Sequence, residues 1–251
     1  MGWTFVRATP TFMRSDTVGV SARPLTLSAW CQISAVTGLM VAVYTGTPGA
    51  VFNRCMLGRT GTSLRVQSRG ATTEAVQTQT GLPAAGTWYH GAAVIASPTS
   101  LIPYVDGVAG TELTTDTGAA SAYTRTSLGQ VDQTTPQDAF DGLIAEPAIW
   151  DVALPAGDIA LLAAGASPMS LATRPVRYWR LKDDLDLSDL IVGAVLTNTG
   201  ATWTASHPTV DDPPGAVEAL VSESLAFRSK QRAPMPMIVG PRADSIMRLY
   251  R

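Results

Sequence analysis

The chain has 251 residues, enough for one β-sandwich domain of roughly 200 to 250 residues or for one domain plus an appendage. Only 15% of the residues are charged, against roughly 25% in ordinary soluble domains, and 45% are hydrophobic; either the strands carry Thr and Ser on wet faces or neighbours cover much of the surface. The net charge of -2 provides no overall positive field for nucleic acid or an anionic membrane, and no run is long and apolar enough to span a bilayer.

Met1-Gly2-Trp3-Thr4-Phe5-Val6-Arg7 lacks the uninterrupted apolar stretch of a secretion signal, and Val6 breaks the myristoylation pattern, so neither leader is expected. Leu25, Leu27, Ala29, Cys31 and Ile33 alternate with Thr26, Ser28, Trp30 and Gln32, the period-two pattern of a half-buried strand. In this register Cys31 is a small buried hydrophobe, and nothing supports a disulfide to Cys55, the other cysteine. Further strands are predicted at 64–66, 88–95, 101–106 and 127–131. Segments rich in Gly, Pro, Thr or Asp at 45–49, 58–61, 81–86, 106–110 and 116–118 are placed as the turns between them. A short helix follows Pro155, with Asp158 in its first turn, Ile159, Leu161 and Leu162 as its apolar stripe and Gly165 closing it. Strand pattern returns at 176–181 and 194–203, and His207, Pro208 and the Asp211-Asp212-Pro213-Pro214-Gly215 run mark a boundary.

Short strands at near-regular spacing predict an all-β, two-sheet antiparallel sandwich or jelly roll over 1–207, with Leu27, Ala29, Cys31, Val105, Leu143 and Ile149 among its buried positions. Residues 208–251 are expected to form an extended C-terminal arm. Val217, Leu220, Val221 and Leu225 fall on one face of a short amphipathic helix there. Beyond Phe227 the arm carries Arg228, Lys230, Arg232, Arg242, Arg248 and Arg251 against the single acid Asp244. It is either a solvated tail or an assembly contact that docks on an acidic neighbour, with the apolar four and Arg228, Arg232, Arg248 and Arg251 as its contact residues.

In family order over residues 5–205 come Leu25-Thr26-Leu27-Ser28-Ala29-Trp30, Trp88-Tyr89-His90, Tyr104-Val105-Asp106-Gly107, Ser127-Leu128-Gly129, Phe140-Asp141-Gly142-Leu143-Ile144-Ala145-Glu146 and Ile149-Trp150 before Leu154-Pro155. Together they resemble the LamG-like, concanavalin A-like lectin and glucanase jelly-roll family. The resemblance implies a fold that often binds glycans, frequently through calcium, and that includes glycoside hydrolases. No Asp-rich loop supplies the six to eight oxygens of a calcium site, so no metal or cofactor is expected. Glu146 has no second acid two or four residues away for retaining hydrolysis, and His90 and His207 lack metal-ligand spacing, so no catalysis is expected. Asp106-Gly107 and Asp141-Gly142 fit structural turns. Trp30, Trp88, Tyr104, Trp150 and Trp179 fit the core, leaving Tyr89 and Tyr123 as exposed carbohydrate-binding candidates.

Modules of this family without a secretion signal and with an extended arm resemble phage capsid-decoration (cement) or tail-associated proteins. The expected function is therefore a non-catalytic virion structural protein, assembled in the host cytoplasm. Its expected partners are other virion proteins, either major capsid or tail subunits, and copies of itself as a homo-oligomer, with neither specific nucleic acid nor membrane. The alternative is a glycan-binding adhesin that uses the concave jelly-roll face.

Overall fold

The computed structural model describes residues 2–35, 38–48, 53–70, 73–120, 123–132, 137–184 and 187–211. The expected contact residues Val217, Leu220, Val221, Leu225, Arg228, Arg232, Arg248 and Arg251 lie outside these. The compact unit runs from Met1 to Pro213, past the expected boundary at 207. Pro208 and Val210 are still buried in it, and the Asp211 amide donates to the Gly165 carbonyl at 2.8 Å.

The first half of the chain forms β1 (Gly2–Phe5), β2 (Phe12–Ser15), β3 (Leu25–Ile33), β4 (Leu39–Gly46), β5 (Arg54–Thr60), β6 (Ser63–Arg69), β7 (Glu74–Gln79), β8 (Trp88–Ser97) and β9 (Ser100–Val105). The second half adds β10 (Val108–Ala109), β11 (Arg125–Leu128), β12 (Gly142–Trp150), α1 (Ala156–Ala163), β13 (Arg177–Tyr178), β14 (Thr197–Thr199) and β15 (Thr202–Thr204). They make two antiparallel sheets. An eight-stranded sheet has the order β10-β9-β8-β3-β12-β1-β15, with β13 also paired to β12; a seven-stranded sheet has the order β14-β2-β11-β4-β5-β6-β7. Sequential neighbours alternate between sheets several times, as a jelly roll requires.

Phe5, Met13, Leu25, Leu27, Leu57, Val66, Ile95, Leu128, Phe140 and Trp179 fill the space between the sheets. Each such side chain contributes about 1.5–3 kcal/mol on leaving water. A second apolar layer lies on the outer face of the eight-stranded sheet, where Tyr104, Trp150 and Tyr178 meet Leu154 and the Ile159 and Leu162 stripe of α1. The half-buried strand expected at Leu25–Ile33 is therefore covered on both sides over its first half. Thr26 and Ser28 are buried, and the Thr26 hydroxyl donates to the Val152 carbonyl at 2.8 Å while accepting from the Leu154 amide at 3.0 Å.

Four expectations shift for local reasons. Leu143 is only half-buried while Ile144 and Ile149 both enter the core, because Glu146 and Pro147 form a β-bulge between the Ala145↔Trp30 and Ala148↔Ser28 pairs and change the parity of β12. Gly58, expected in a turn, lies inside β5; a Cβ there would come 2.2 Å from the Met40 carbonyl oxygen. The pattern at 194–203 is two strands, β14 and β15, which join opposite sheets across Gly200, and the strand expected to reach Val131 stops at Leu128.

That last stop has a steric cause. Gly129 sits at φ 86°, and a Cβ would lie 2.3 Å from the Phe5 ring. Gly129→Ala should lower stability by about 2 kcal/mol or more in urea unfolding, since both the backbone and the Phe5 packing must yield; an unchanged midpoint would refute this account.

Candidate functional site

Strand pairing sets three rungs on the outer face of the seven-stranded sheet. One end rung runs Arg125, Gly46, Arg54, Arg69, Glu74; the next runs Ser127, Tyr44, Met56, Gln67, Val76; the third pairs Gly58 with Arg65 and Thr78. Gly46 is required in its rung: a Cβ would lie 2.5 Å from the Tyr44 hydroxyl and 2.8 Å from Arg54 Cβ. Val131 roofs Val41, Tyr44 and Met56, so this part of the face is closed and apolar. Toward β6 and β7 the face is polar. Arg65, Arg69 and Glu74 are partly exposed, while Arg54 is nearly enclosed.

Glu74 is the hub of this region. Its Oε2 accepts from Arg69 Nη1 at 3.0 Å and lies 3.9 Å from Arg54 Nη2, and its Oε1 lies 3.6 Å from Arg65 Nη2. Burial lowers the Arg54 pKa from its ordinary value, and Glu74 pulls it back up. Between the end rungs sits Gln67, 1% exposed, with neither its Oε1 nor its Nε2 hydrogen-bonded. An unpaired buried polar group of this kind costs about 1–3 kcal/mol. The arrangement offers guanidinium donors and one amide that can both donate and accept.

The sequence-predicted site residues fall elsewhere. Tyr89 and Tyr123, expected as exposed sugar-stacking rings, are each only 2% exposed. Tyr89 lies opposite Cys31 on the inward parity of β8, and the Tyr123 hydroxyl meets Cys55 Sγ at 3.2 Å. Trp30 and Trp88, expected in the core, are half-buried on the outward parity instead. Asp106 and Gly107, at φ 47° and 81°, make the two-residue turn between β9 and β10, and Asp106 Oδ1 accepts from the His90 amide at 2.8 Å. Asp141 uses its backbone carbonyl to accept from the Ser34 amide at 2.9 Å, and Gly142 passes so close to β3 that a Cβ would sit 2.1 Å from the Gln32 carbonyl oxygen. The Arg54, Gln67 and Arg69 group has no sequence motif, because Arg54 opens β5 while Gln67 and Arg69 show the ordinary strand alternation of β6. The alternation of Arg65, Gln67 and Arg69 with Leu64, Val66 and Ser68 was its one signal.

The fold also gathers Glu146 with both histidines, far apart in sequence. The bulge holds Glu146 at φ 54°, 2% exposed; the Tyr178 hydroxyl donates to its Oε2, and His207 Nε2 lies 3.0 Å from its Oε1. His90 is fully enclosed, with Nε2 3.2 Å from Ser28 Oγ and Nδ1 unpartnered. The crevice lined by Ser28, Trp30, His90, Glu146 and Val210 is too narrow for a water molecule and contains a single carboxylate. Among the described residues no group of three or more His, Cys, Asp or Glu could hold a metal ion.

Burial pushes the Glu146 carboxyl from 4.5 up to about 7, against the Tyr178 hydrogen bond and the charges of Arg180 and Lys182, and pulls His90 from 6.5 down to about 3. The native state keeps the Glu146 proton that the unfolded chain releases, so that contribution is lost as pH rises from 4.5 to 7. The native state refuses the His90 proton that the unfolded chain accepts, so that contribution is lost as pH falls from 6.5 toward 3. The two slopes oppose each other between pH 4.5 and 6.5. Glu146→Gln removes one of them, so the variant should lose stability relative to wild type on acidification over this range, by about 1.4 kcal/mol per pH unit in urea titrations. A pH-independent difference would count against the buried-acid assignment.

The family described as the concanavalin A-like lectin/glucanases superfamily matches residues 11–160, more than half of the chain. No curated protein matches it in sequence. Among solved structures, a native heptameric SAP-like pentraxin from Limulus polyphemus is similar with a TM-score of 0.62 at 13% identity, over 83% of this chain and 95% of that one. A candidate carbohydrate-binding protein from Bacteroides ovatus gives 0.61 at 17% identity, over 84% of this chain and 60% of that one. The K499G mutant of NanB sialidase from Streptococcus pneumoniae gives 0.54 at 13% identity, over 64% of this chain and 27% of that one. At these identities the likeness concerns the fold alone, and the chain spans well under two thirds of the sialidase. With two antiparallel sheets in jelly-roll order and a family match over most of the first of its two compact units, the chain belongs to the concanavalin A-like lectin/glucanase superfamily.

Proposed function

We propose that this protein is a non-catalytic glycan-binding module that uses the β5–β6–β7 part of its seven-stranded sheet. The observation that carries the proposal is Gln67, whose buried amide is unpartnered at both ends beside the guanidinium groups of Arg54 and Arg65. A sugar offers vicinal hydroxyls, each both donor and acceptor, which match such an amide flanked by fixed donors. The fold likeness to a candidate carbohydrate-binding protein supports the same direction. Hydrolysis is disfavoured because Glu146 stands without a second carboxylate in a crevice that admits no water. Gln67→Leu keeps the volume and removes the unpaired amide. Glycan-array hits confirmed by calorimetry on the full chain should weaken at least about tenfold in this variant, while its melting temperature stays level or rises. Unchanged glycan affinity would move the site off this face.

A structural role in a virion, as a capsid-decoration or tail-associated protein, is the second reading. It is favoured by the basic, proline-punctuated sequence of residues 228–251, suited to docking on acidic neighbouring subunits. The pentraxin's heptameric state supports a homo-oligomer of the same fold. The two roles are compatible, since a particle-bound module can also hold a cell-surface glycan. A chain ended after Pro213 keeps Val210 and the Asp211 hydrogen bond, and should fold, remain soluble and bind glycan while no longer incorporating into particles. Unfolding of the shortened chain would place the arm in the domain's own core, and incorporation with unchanged salt dependence would exclude the arm as the anchor.

A further inference from the structure

The glycan face is chemically one-sided. Arg54, Arg65 and Arg69 converge there around Glu74, and Asp138 lies close enough for Arg65 and Arg54 to act on it. Glu74 makes one hydrogen-bonded contact, to Arg69, and stands beyond hydrogen-bond distance from the other two guanidiniums. Burial raises the Asp138 carboxyl, and the charges of Arg65 and Arg54 draw it back down. Arg54 Nε and Nη1 and Arg65 Nε, all buried, have no hydrogen-bond partner. The register explains the crowding: Arg54↔Arg69 and Arg69↔Glu74 are directly paired across β5, β6 and β7, and Arg65 lies two residues from Gln67 on the same face. Like charges opposite one another destabilise a sheet. Such a cluster is stabilised by an anion, and guanidinium geometry suits a planar carboxylate or a sulfate accepting two hydrogen bonds at once.

We infer that Arg54, Arg65 and Arg69, around Glu74 and beside Gln67, form the subsite for an acidic saccharide residue, with its carboxylate or sulfate on the guanidiniums and its hydroxyls on the Gln67 amide. This rests on the proposal that the protein binds glycans at this face, and narrows it to acidic ones. A saccharide fits better than a nucleic acid because the one aromatic ring in the three described rungs, Tyr44, is fully buried and has no face for a base to stack on. Arg65 and Arg69 are the partly exposed members of the cluster, and Arg54 and Gln67 are its enclosed members.

The test is calorimetry on the full chain, at low and high salt, with oligosaccharides of one backbone in neutral, uronate-bearing and sulfated forms, and with a single-stranded oligonucleotide of matched charge. At least one acidic form should bind about tenfold or more tighter than the neutral form, with the preference shrinking at high salt. Uronate or sulfate alone identifies which anion the subsite takes. Arg65→Gln should weaken acidic binding about tenfold and neutral binding by much less, so that the preference for the acidic form disappears. Glu74→Gln, which removes the competing carboxylate, should tighten acidic binding severalfold, and it provides an independent reading if Arg65→Gln folds poorly. Equal binding of neutral and acidic forms would overturn the acidic subsite and leave glycan binding standing. Binding of none would overturn both. Tighter binding of the oligonucleotide, or acidic binding indifferent to both substitutions, would also overturn the inference.

Discussion

A two-sheet sandwich buries one face of each sheet against the other, and that constraint leaves each sheet with a second face to accommodate. Water can cover it only if its side chains are polar; otherwise something must pack on it. The two sheets meet this demand differently. On the eight-stranded sheet, Tyr104, Trp150 and Tyr178 face outward and are covered by Leu154, Ile159 and Leu162 of the segment that leads through α1. On the seven-stranded sheet, Val131 covers Tyr44 and Met56, and beyond it the outward residues of β5, β6 and β7 include Arg54, Arg65, Gln67, Arg69 and Glu74 beside Val76 and Thr78. Much of one outer face is a second core, and part of the other is a polar surface.

The closed face shows what burial does to ionisable groups. Glu146 and His90 are both held near neutrality there, one by gaining a proton and the other by refusing it. Such a pair looks catalytic in isolation. Its crevice has no room for water and contains one carboxylate, so the same burial that perturbs the groups denies them a reactant. Perturbed acid–base groups mark functional sites only where solvent or substrate can reach them. The polar face presents the converse case: the Gln67 amide and the Nε and Nη1 of Arg54 are buried without a hydrogen-bond partner, yet they stand beside partly exposed Arg65 and Arg69.

The β-bulge at Glu146-Pro147 connects these features. Proline donates no hydrogen bond to a ladder and is tolerated at a bulge. By inserting one residue it turns Ile144 and Ile149 to the same interior and places Glu146 against Tyr178 and His207. Through His207 the chain beyond β15 is brought back across the eight-stranded sheet, where Val210 packs and Asp211 bonds to Gly165.

Alternation, turn residues and the Pro155-to-Gly165 segment sufficed to read an all-β jelly roll with one short helix from the sequence, because these are local properties of two- and four-residue neighbourhoods. Cys31 and Leu27 could be placed in the core for the same reason. Leu143 could not be separated from Ile144, since a bulge resets parity and is recognisable only against the partner strand. The exposure of Tyr89 and Tyr123 is not legible in the sequence because it depends on a distant neighbour, Cys31 for one and Cys55 for the other. The Arg54, Arg65, Gln67, Arg69 and Glu74 cluster is the property that only the tertiary structure decided: strand register brings these five residues onto one face, and register is set by the packing of two whole sheets rather than by any segment alone.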